Sequence, residues 1–573
     1  MGAGRARIAL SGYALALALL VVAPLLRPGY FLLRDAVSTP RSYLSDSALG
    51  LMSAPRAVPQ DFAVALASHC IDGGLVVKAL LVVGLWLAGW GAARLVALVL
   101  PEAGAGGQLV AITLAIWNPY VAERLLQGHW SLLLGYGCLP WVATTMLTLR
   151  SEDPTSPRGR FALVFWIALA GLTPTGLILA ATVAMVCIAA PGAGRARWRC
   201  AAVASAAAAL AALPWLAAAA LGLSSADRIW AQAPDVTAFA ARAEPDLGTL
   251  GSLASLGGIW NSEAVPASRT TLFAVVSAVV LLLAVAAGLP ALARRRTAVP
   301  LIVLAAVAVL VPAVLATGPG LAALQAVVDA APGLGVLRDG QKWVALAMPG
   351  YALAGAAAVL TLRRWLQPAV TAPVLCAALL FALPDLAWGV GGKVEPVHYP
   401  SDWRTVAALI NRDPGVVAVL PADTMRRFAW SGPAPVLDPL PRWVRGNVLL
   451  TGDLTIAGVT VPGEGYRART AQRLLLSGAD PAALRRAGIA WLVVEAGTPG
   501  DMGLAAKTFE RLPVTYRGHD LSLYRVDDAP AATPADRRLL AVIAHLVWLQ
   551  MLIAGAVGMA VAGWRQRRPT PLR

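Results

Sequence analysis

The sequence predicts an all-α polytopic membrane protein of about twelve transmembrane helices with a C-terminal extracytoplasmic α/β domain. Three observations predict it. The 573 residues are 58% hydrophobic and only 14% charged, whereas a soluble domain is roughly half apolar and about 25% charged and could not hide this much apolar surface. Mean hydropathy is +0.67, and the apolar residues fall in long runs, where a full crossing needs about 20 residues. Lys and Arg fall on alternate connections between those runs, as the positive-inside rule demands.

The first run, Ile8 to Leu26, follows Arg5 and Arg7. It is long for a signal-peptide core, contains Pro24, and ends in Leu25-Leu26-Arg27 instead of a small-x-small cleavage site, so it reads as a retained first helix. The later spans are expected at 73–93, 108–121, 130–149, 161–172, 176–190, 200–221, 271–293, 298–316, 343–362, 368–389 and 537–563. With both termini cytoplasmic, the inner segments carry Arg94, Arg150/Arg158/Arg160, Arg195/Arg197/Arg199, Arg294/Arg295/Arg296, Arg363/Arg364 and Arg565/Arg567/Arg568, with almost no carboxylates. The parity turns on 161–190. There Thr173-Pro174-Thr175-Gly176 splits the run into two short helices, and a single kinked span would put the Arg294 triplet outside.

The expected organisation is a membrane domain over 1–389 with long outer connections at 27–72, 222–270 and 317–342, an extracytoplasmic α/β domain over 390–536, and a final helix with a basic tail over 537–573. In the 390–536 block, 415–420 and 488–494 read as buried strands, Pro481 to Ala487 as a helix, and Pro513 to Val526 as two strands joined across Gly518-His519. His398 and His519 are isolated and read as solvated loop residues. The net charge of +16 is scattered between apolar runs, which argues against a nucleic-acid partner. The cysteines, Cys70, Cys138, Cys187, Cys200 and Cys376, have no metal-ligand spacing and suggest no disulfide framework. No internal repeat of the transporter kind is visible.

Ionisable side chains at membrane depth cost at least about 2.5–3.5 kcal/mol, so those at helix ends facing a cavity are the functional candidates. Three clusters qualify, all on the outer side. The first is Arg34-Asp35, just past the first helix, followed by Asp46; such a carboxylate can take a proton from a hydroxyl, with Arg34 binding phosphate, or the pair can simply solvate a turn. The second runs from Trp117 to Trp130, where Pro119 frees backbone carbonyls and the next turn sets Glu123 and Gln127 on one face beside Asn118, Arg124 and His129. It reads equally as a polar cavity or a capped, aromatic-belted hairpin. The third is Arg338-Asp339-Gly340-Gln341-Lys342, whose two cations and glycine suit a phosphate ester, or form an Arg–Asp pair with a snorkelling Lys. Asp227, Arg228, Trp230 and Trp260-Asn261-Ser262-Glu263 suggest an amphipathic structural element lying on the membrane.

With the long first loop bearing Asp35, the short re-entrant pieces, the C-terminal outer domain, and the Asn118-Pro119-Tyr120 and Arg338-Asp339-x-Gln341-Lys342-Trp343 stretches, the chain resembles GT-C-type polytopic glycosyltransferases, especially the arabinofuranosyl- and mannosyltransferases of the actinobacterial cell envelope. The resemblance implies a polyprenyl-phosphate sugar donor, an envelope glycan or glycolipid acceptor, and location in the plasma membrane with transfer on its outer face. It carries the first-loop base onto Asp35, with Asp46 or Glu123 as alternates; many relatives have two adjacent acids where this chain has Arg34-Asp35. Arg338, Lys342, Arg124, Arg34 and His129 would hold the departing phosphate, supported by Asn118, Gln127, Asp339 and Gln341. No metal is required, although a divalent ion between Asp35 and phosphate is compatible with the chemistry. The competing readings are a flippase or transporter of a lipid-linked sugar and a non-catalytic envelope-assembly protein.

Overall fold

The computed structural model describes residues 3–52, 56–151, 157–222, 236–456, 459–463, 465–527 and 533–567. Among them, eight helices are long and apolar enough to cross a membrane, and the number rises to ten if each of two bent pairs is one span. The protein is a multi-pass membrane protein. Large apolar side chains such as Phe381, Leu272 and Leu283 stand exposed on its flanks, which is stable only where the surroundings are lipid.

The bent pairs have physical causes. Val299–Leu315 and Gly318–Ala330 meet at 94°, where Thr317 caps the second helix through Gly320 N and Pro319 occupies its first turn. The connection expected over 317–342 is therefore helical for much of its length, because a capping threonine followed by proline starts a helix as readily as it marks a loop. Pro368–Phe381 and Pro384–Gly392 meet at 74°. The run 161–190 is split at Thr173-Pro174, as expected, into helices of 13 and 14 residues, Arg158–Ala170 and Pro174–Cys187, with Thr173 Oγ1 accepting from Gly176 N at 3.0 Å. The span expected at 108–121 stops at Ile116, and Asn118-Pro119 opens a separate helix to Leu126, since proline cannot continue the preceding hydrogen-bond ladder.

At the centre of the bundle, Pro101–Leu126, Trp130–Ser151 and Gly340–Leu362 are the most deeply buried spans. Close backbone approach makes this possible. A Cβ on Gly137 would lie 2.1 Å from Gly84 O, so the helices Trp130–Ser151 and Gly73–Val99 pack backbone to backbone through small residues, as membrane helices do.

The C-terminal region is α/β. Its five-stranded sheet runs in the order Val514–Arg517, Leu521–Arg525, Trp491–Glu495, Val416–Leu420, Asn447–Val448, antiparallel at the first two junctions and parallel at the last two. One face packs on Trp403, Val406 and Ile410 of helix Ser401–Arg412, the other on Ala468, Ala471 and Leu475 of helix Tyr466–Leu476. Burial on both faces explains the unbroken apolar run Val416–Leu420. The strand expected at 488–494 begins only at Trp491, because Gly488 still closes the preceding helix in a left-handed conformation.

The first long connection is built into this region. Tyr30–Leu33 pairs on one side with Ala36–Val37 and on the other with Pro396–Val397, while Arg34 bridges to Val436. These pairings carry residue 35 to its place. Asp227, Arg228 and Trp230 lie outside the described residues. Trp260 to Glu263 line the cavity described next, drawn in by the hydrogen bond of Asn261 to Gln127.

Candidate functional site

A cavity of about 1500 Å³ opens where the bundle meets the α/β region. Its floor is set by the turn at Arg34-Asp35. Arg34 adopts a left-handed φ of 48°, uncommon for a residue with a Cβ, and is held there from both sides. Its N–H donates to Pro435 O at 3.0 Å, its carbonyl accepts from Leu437 N at 2.9 Å, and its guanidinium donates to Leu126 O at 2.7 Å and Glu263 O at 2.8 Å. Gly128, with φ +84°, admits this turn, since a Cβ there would lie 2.3 Å from Ala36 N.

The Asp35 side chain opens onto the cavity with a definite polarity. Gln127 Nε2 donates to Oδ2 at 3.1 Å and His129 Nε2 lies 2.9 Å from the same oxygen. Oδ1 has no hydrogen-bond partner among the described residues. Burial pushes the Asp35 carboxyl up, but the hydrogen bond from His129, the Gln127 amide and the charge of Lys342 outweigh it and hold the group below its ordinary range. Burial pushes His129 down, and Arg124 and Lys342 add to that against the opposing pull of Asp35, so the imidazole stays below its usual value.

Behind His129 lies a buried guanidinium. Arg124 donates through Nη1 to Asp339 Oδ2 at 2.7 Å and through Nη2 to Asp339 Oδ1 at 2.9 Å, a bidentate pair with both side chains almost fully buried. Nη2 also bonds Gln341 Oε1, and Nη1 lies 3.2 Å from His129 Nδ1. Lys342 Nζ sits 3.7 Å from Asp339 Oδ2 and faces the cavity. Asp339 is held well below the usual carboxylate range, since the Arg124 and Lys342 charges exceed the burial that opposes them. Arg338 stacks over the Phe239 ring at 3.9 Å and also faces the cavity.

The structure thus brings Asp35, Gln127, His129, Arg338, Asp339 and Lys342 to the lining of one cavity, with Arg124 bonded to Asp339, and Gln341 to Arg124, behind it. The other sequence candidates sit elsewhere. Asn118 caps helix Pro119–Leu126 through Val121 N at 3.1 Å and donates to Leu114 O, Ala115 O and Tyr136 Oη; all its groups are used. Glu123 is fully buried, accepting from Gly258 N, Ile259 N and Gln341 Nε2 at 3.2, 3.1 and 3.0 Å. With Gln127, it turns toward residues 258–261, the shared face that an i, i+4 spacing provides. Asp46 is buried off the cavity lining, joined to Arg538, Thr533 and Asn447. There it ties the first connection to the final helix.

Asn261, singled out in the sequence only as part of a structural element, lines the cavity and donates to Gln127 Oε1 at 2.8 Å. Sequence reasoning missed several further lining residues. Gln60, bonded to Ser131 Oγ, and Arg427, Arg442 and Arg467 of the α/β region had no signal in the sequence. One flank of the cavity is apolar, with Ile178, Trp215, Leu221, Leu334 and Val336. No group of three His, Cys, Asp or Glu side chains among the described residues is placed to hold a metal ion. Asp35, Glu263, Asp423 and Asp453 offer carboxylates to the cavity, but no three of them gather into one cluster among the described residues.

No protein-family model matches the chain, and no curated protein matches it by sequence. Among the solved structures that share its fold are two of a mutant of the arabinofuranosyltransferase AftD from mycobacteria, in class 2 and class 1. One has a TM-score of 0.54 at 19% identity, covering 92% of this chain and 42% of that one. The other has a TM-score of 0.55 at 18% identity, covering 91% and 42%. The relationship is a distant one of fold, and this chain spans less than half the length of those proteins.

Proposed function

We propose that this chain is an integral membrane glycosyltransferase that moves a sugar from a polyprenyl-phosphate donor to a cell-envelope glycan or glycolipid on the outer face of the plasma membrane. The observation that carries the reading is a carboxylate with a single unheld oxygen, that of Asp35, in the lining of a cavity that Lys342 and Arg338 also line. The fold shared with an arabinofuranosyltransferase makes a pentofuranosyl donor the first to test.

In the proposed step the acceptor O–H bond breaks as its oxygen attacks the anomeric carbon. The bond from that carbon to the phosphate oxygen breaks, its electron pair leaves with the prenyl phosphate, and the proton passes to Asp35 Oδ1. A carboxyl held below its ordinary range is ionised at neutral pH and ready to accept. Lys342 and Arg338 neutralise the phosphate as negative charge gathers on it, and the apolar flank from Ile178 to Trp215 takes the prenyl chain. In this reading Arg34, whose terminal nitrogens donate to backbone carbonyls and stand beside the Glu263 carboxylate, and His129, engaged by Asp35, shape the site without contacting phosphate.

The topology belongs to the same proposal. Twelve crossings, with Arg158–Ala170 and Pro174–Cys187 as two short ones shielded by protein, place both termini in the cytoplasm. They also leave 390–536 outside as a domain between the membrane part, 1–389, and the final helix and tail, 537–573.

The test is transfer of label from polyprenyl-phosphate arabinofuranose, and in parallel from the mannose analogue, to an envelope glycan by purified, reconstituted protein. Asp35→Asn keeps the shape and removes the basic oxygen, so transfer should fall by about 10²- to 10⁴-fold with donor binding nearly intact. Wild-type rates in that variant would remove Asp35 as base. A wild-type protein inert toward both donors would end the enzyme reading and favour an assembly role.

A further inference from the structure

The buried Arg124 does not itself line the cavity, yet it contacts His129, one of the two residues whose side chains hold the Asp35 carboxylate. Resting on the glycosyltransferase reading, we infer that His129 is a positioning residue for the proposed base, locked by Arg124 in the tautomer that carries its proton on Nε2, so that Asp35 presents Oδ1 alone to the acceptor hydroxyl.

The argument starts from donor and acceptor inventories. A guanidinium has donors only, so the contact of Arg124 Nη1 with His129 Nδ1 at 3.2 Å is a hydrogen bond only if Nδ1 is unprotonated. A neutral imidazole then carries its proton on Nε2, which lies 2.9 Å from Asp35 Oδ2 and donates to it. Arg124 cannot turn away, because Asp339 grips both its terminal nitrogens and Gln341 bonds one of them. The chain Asp339, Arg124, His129, Asp35 therefore has one consistent direction of donation from Arg124 outward. A doubly protonated His129 would set an N–H against the Arg124 N–H, so the imidazole remains neutral as the reaction proceeds.

The second donor makes the arrangement selective. Gln127 Nε2 also donates to Oδ2, and Gln127 Oε1 is held by Asn261 Nδ2 at 2.8 Å, which fixes its amide with the nitrogen toward Asp35. Both donors thus fall on one oxygen, and the carboxylate is turned so that the other faces the cavity. The charged and titratable groups acting on Asp35 are His129, Lys342 and the neighbouring Arg34; those acting on His129 are Asp35, Arg124 and Lys342. His129 supplies the largest of the effects that oppose burial at Asp35. Losing its hydrogen bond should raise the carboxyl.

The readout is the pH dependence of kcat for sugar transfer by full-length reconstituted protein. Leucine at 129 removes both the donor and the acceptor, so His129→Leu should move the acidic limb upward by about one pH unit or more. It should also lower kcat near neutrality by at least about 10-fold, with the KM for polyprenyl-phosphate sugar changed less than twofold. Glutamine keeps an acceptor for Arg124 and a donor for Asp35, and His129→Gln should return the limb most of the way. An unmoved limb in His129→Leu beside an active wild type overturns the inference and leaves the enzyme reading standing; an inert wild type overturns both. Should His129→Leu not fold, His129→Asn, too short to span Arg124 and Asp35, is read by the same criterion, and a wild-type profile there also overturns it.

Discussion

Replacing Arg124 separates its two partners and lets the buried pair be weighed. Both members are almost entirely out of solvent, and the guanidinium also faces the Tyr120 ring at 5.6 Å. Arg124→Leu leaves the Asp339 carboxylate buried with only Lys342 nearby at 3.7 Å. Asp339→Leu leaves a buried guanidinium with the Gln341 amide oxygen, His129 and the ring. Breaking a buried pair from one side costs about 3–5 kcal/mol, because an uncompensated charge remains. If the two losses were independent, the double variant would lose about 6–10 kcal/mol. The double variant instead removes both charges and leaves Gln341 Oε1 and His129 Nδ1 without their donor, at about 1–3 kcal/mol each. The expected coupling is therefore about 4 kcal/mol in the stabilising direction at the middle of these ranges. The assay is thermal unfolding of the detergent-solubilised protein, in which each single variant should lower the apparent Tm by at least about 5 °C and the double should melt above the less stable single. Additive losses would refute the claim that this pair is a mutually dependent unit. Sugar transfer should stay low in the two variants that lack Arg124, since neither keeps the Arg124 hydrogen bond to His129.

The α/β region contains a second buried charge group in which Arg426 stands beside Glu495, 2.5 Å from Oε2, and 4.0 Å from Asp438 Oδ2. Burial first, and then the neighbouring Asp438 charge, push Glu495 up to about 8 against the pull of Arg426. One cation cannot balance two carboxylates, so one proton is retained. A group whose folded pKa is raised contributes stability that is complete below its ordinary unfolded value and is lost as pH rises through about 8. Wild-type Tm should therefore fall by several degrees between pH 6 and pH 9, and Glu495→Gln should flatten that dependence and melt higher at pH 9; parallel curves would refute the assignment. For the topology, Cys70 is exposed in the first long connection. A membrane-impermeant thiol reagent on intact cells should label the native chain at Cys70, and Arg296→Cys in a Cys70→Ser background should stay unlabelled until the cells are opened. Labelling at 296 in intact cells would sink the twelve-span arrangement.

The helices were legible because lipid leaves no alternative: a run of apolar residues bounded by arginine must satisfy its own backbone. The break at Thr173-Pro174 was legible for the same reason that it occurs, since proline ends one ladder and threonine caps the next. Asp35, Arg338, Asp339 and Lys342 stood out as charges where charge is costly. Their partnerships did not. Nothing local says that Arg124 pairs with Asp339, 215 positions away, or that Asp46 is joined to Arg538, 492 positions away, instead of facing the cavity. Periodicity reports a residue's own element, while ion-pair partners are chosen by tertiary packing. Asn118 illustrates the ambiguity from the other side. Its type suits a polar cavity equally well, and only the geometry shows every donor and acceptor taken up in ending one helix and starting another.

The dependence of Asp35 on distant chain also follows from its neighbours. The residue itself makes one backbone hydrogen bond, to Gln127 O at 3.1 Å, while Arg34 is hydrogen-bonded through both its N–H and its carbonyl to residues 435 and 437. Tyr30 and Phe31 are paired with Val397 and Pro396. The carboxylate is thus gripped on one side by the membrane bundle, through Gln127 and His129, and its backbone is held on the other by the α/β region. A left-handed, non-glycine turn costs on the order of 1 kcal/mol or more and persists only when its surroundings over-determine it. Here they do so from both the membrane bundle and the α/β region, which is why the Asp35 carboxylate can keep a fixed geometry although no single helix or strand holds it.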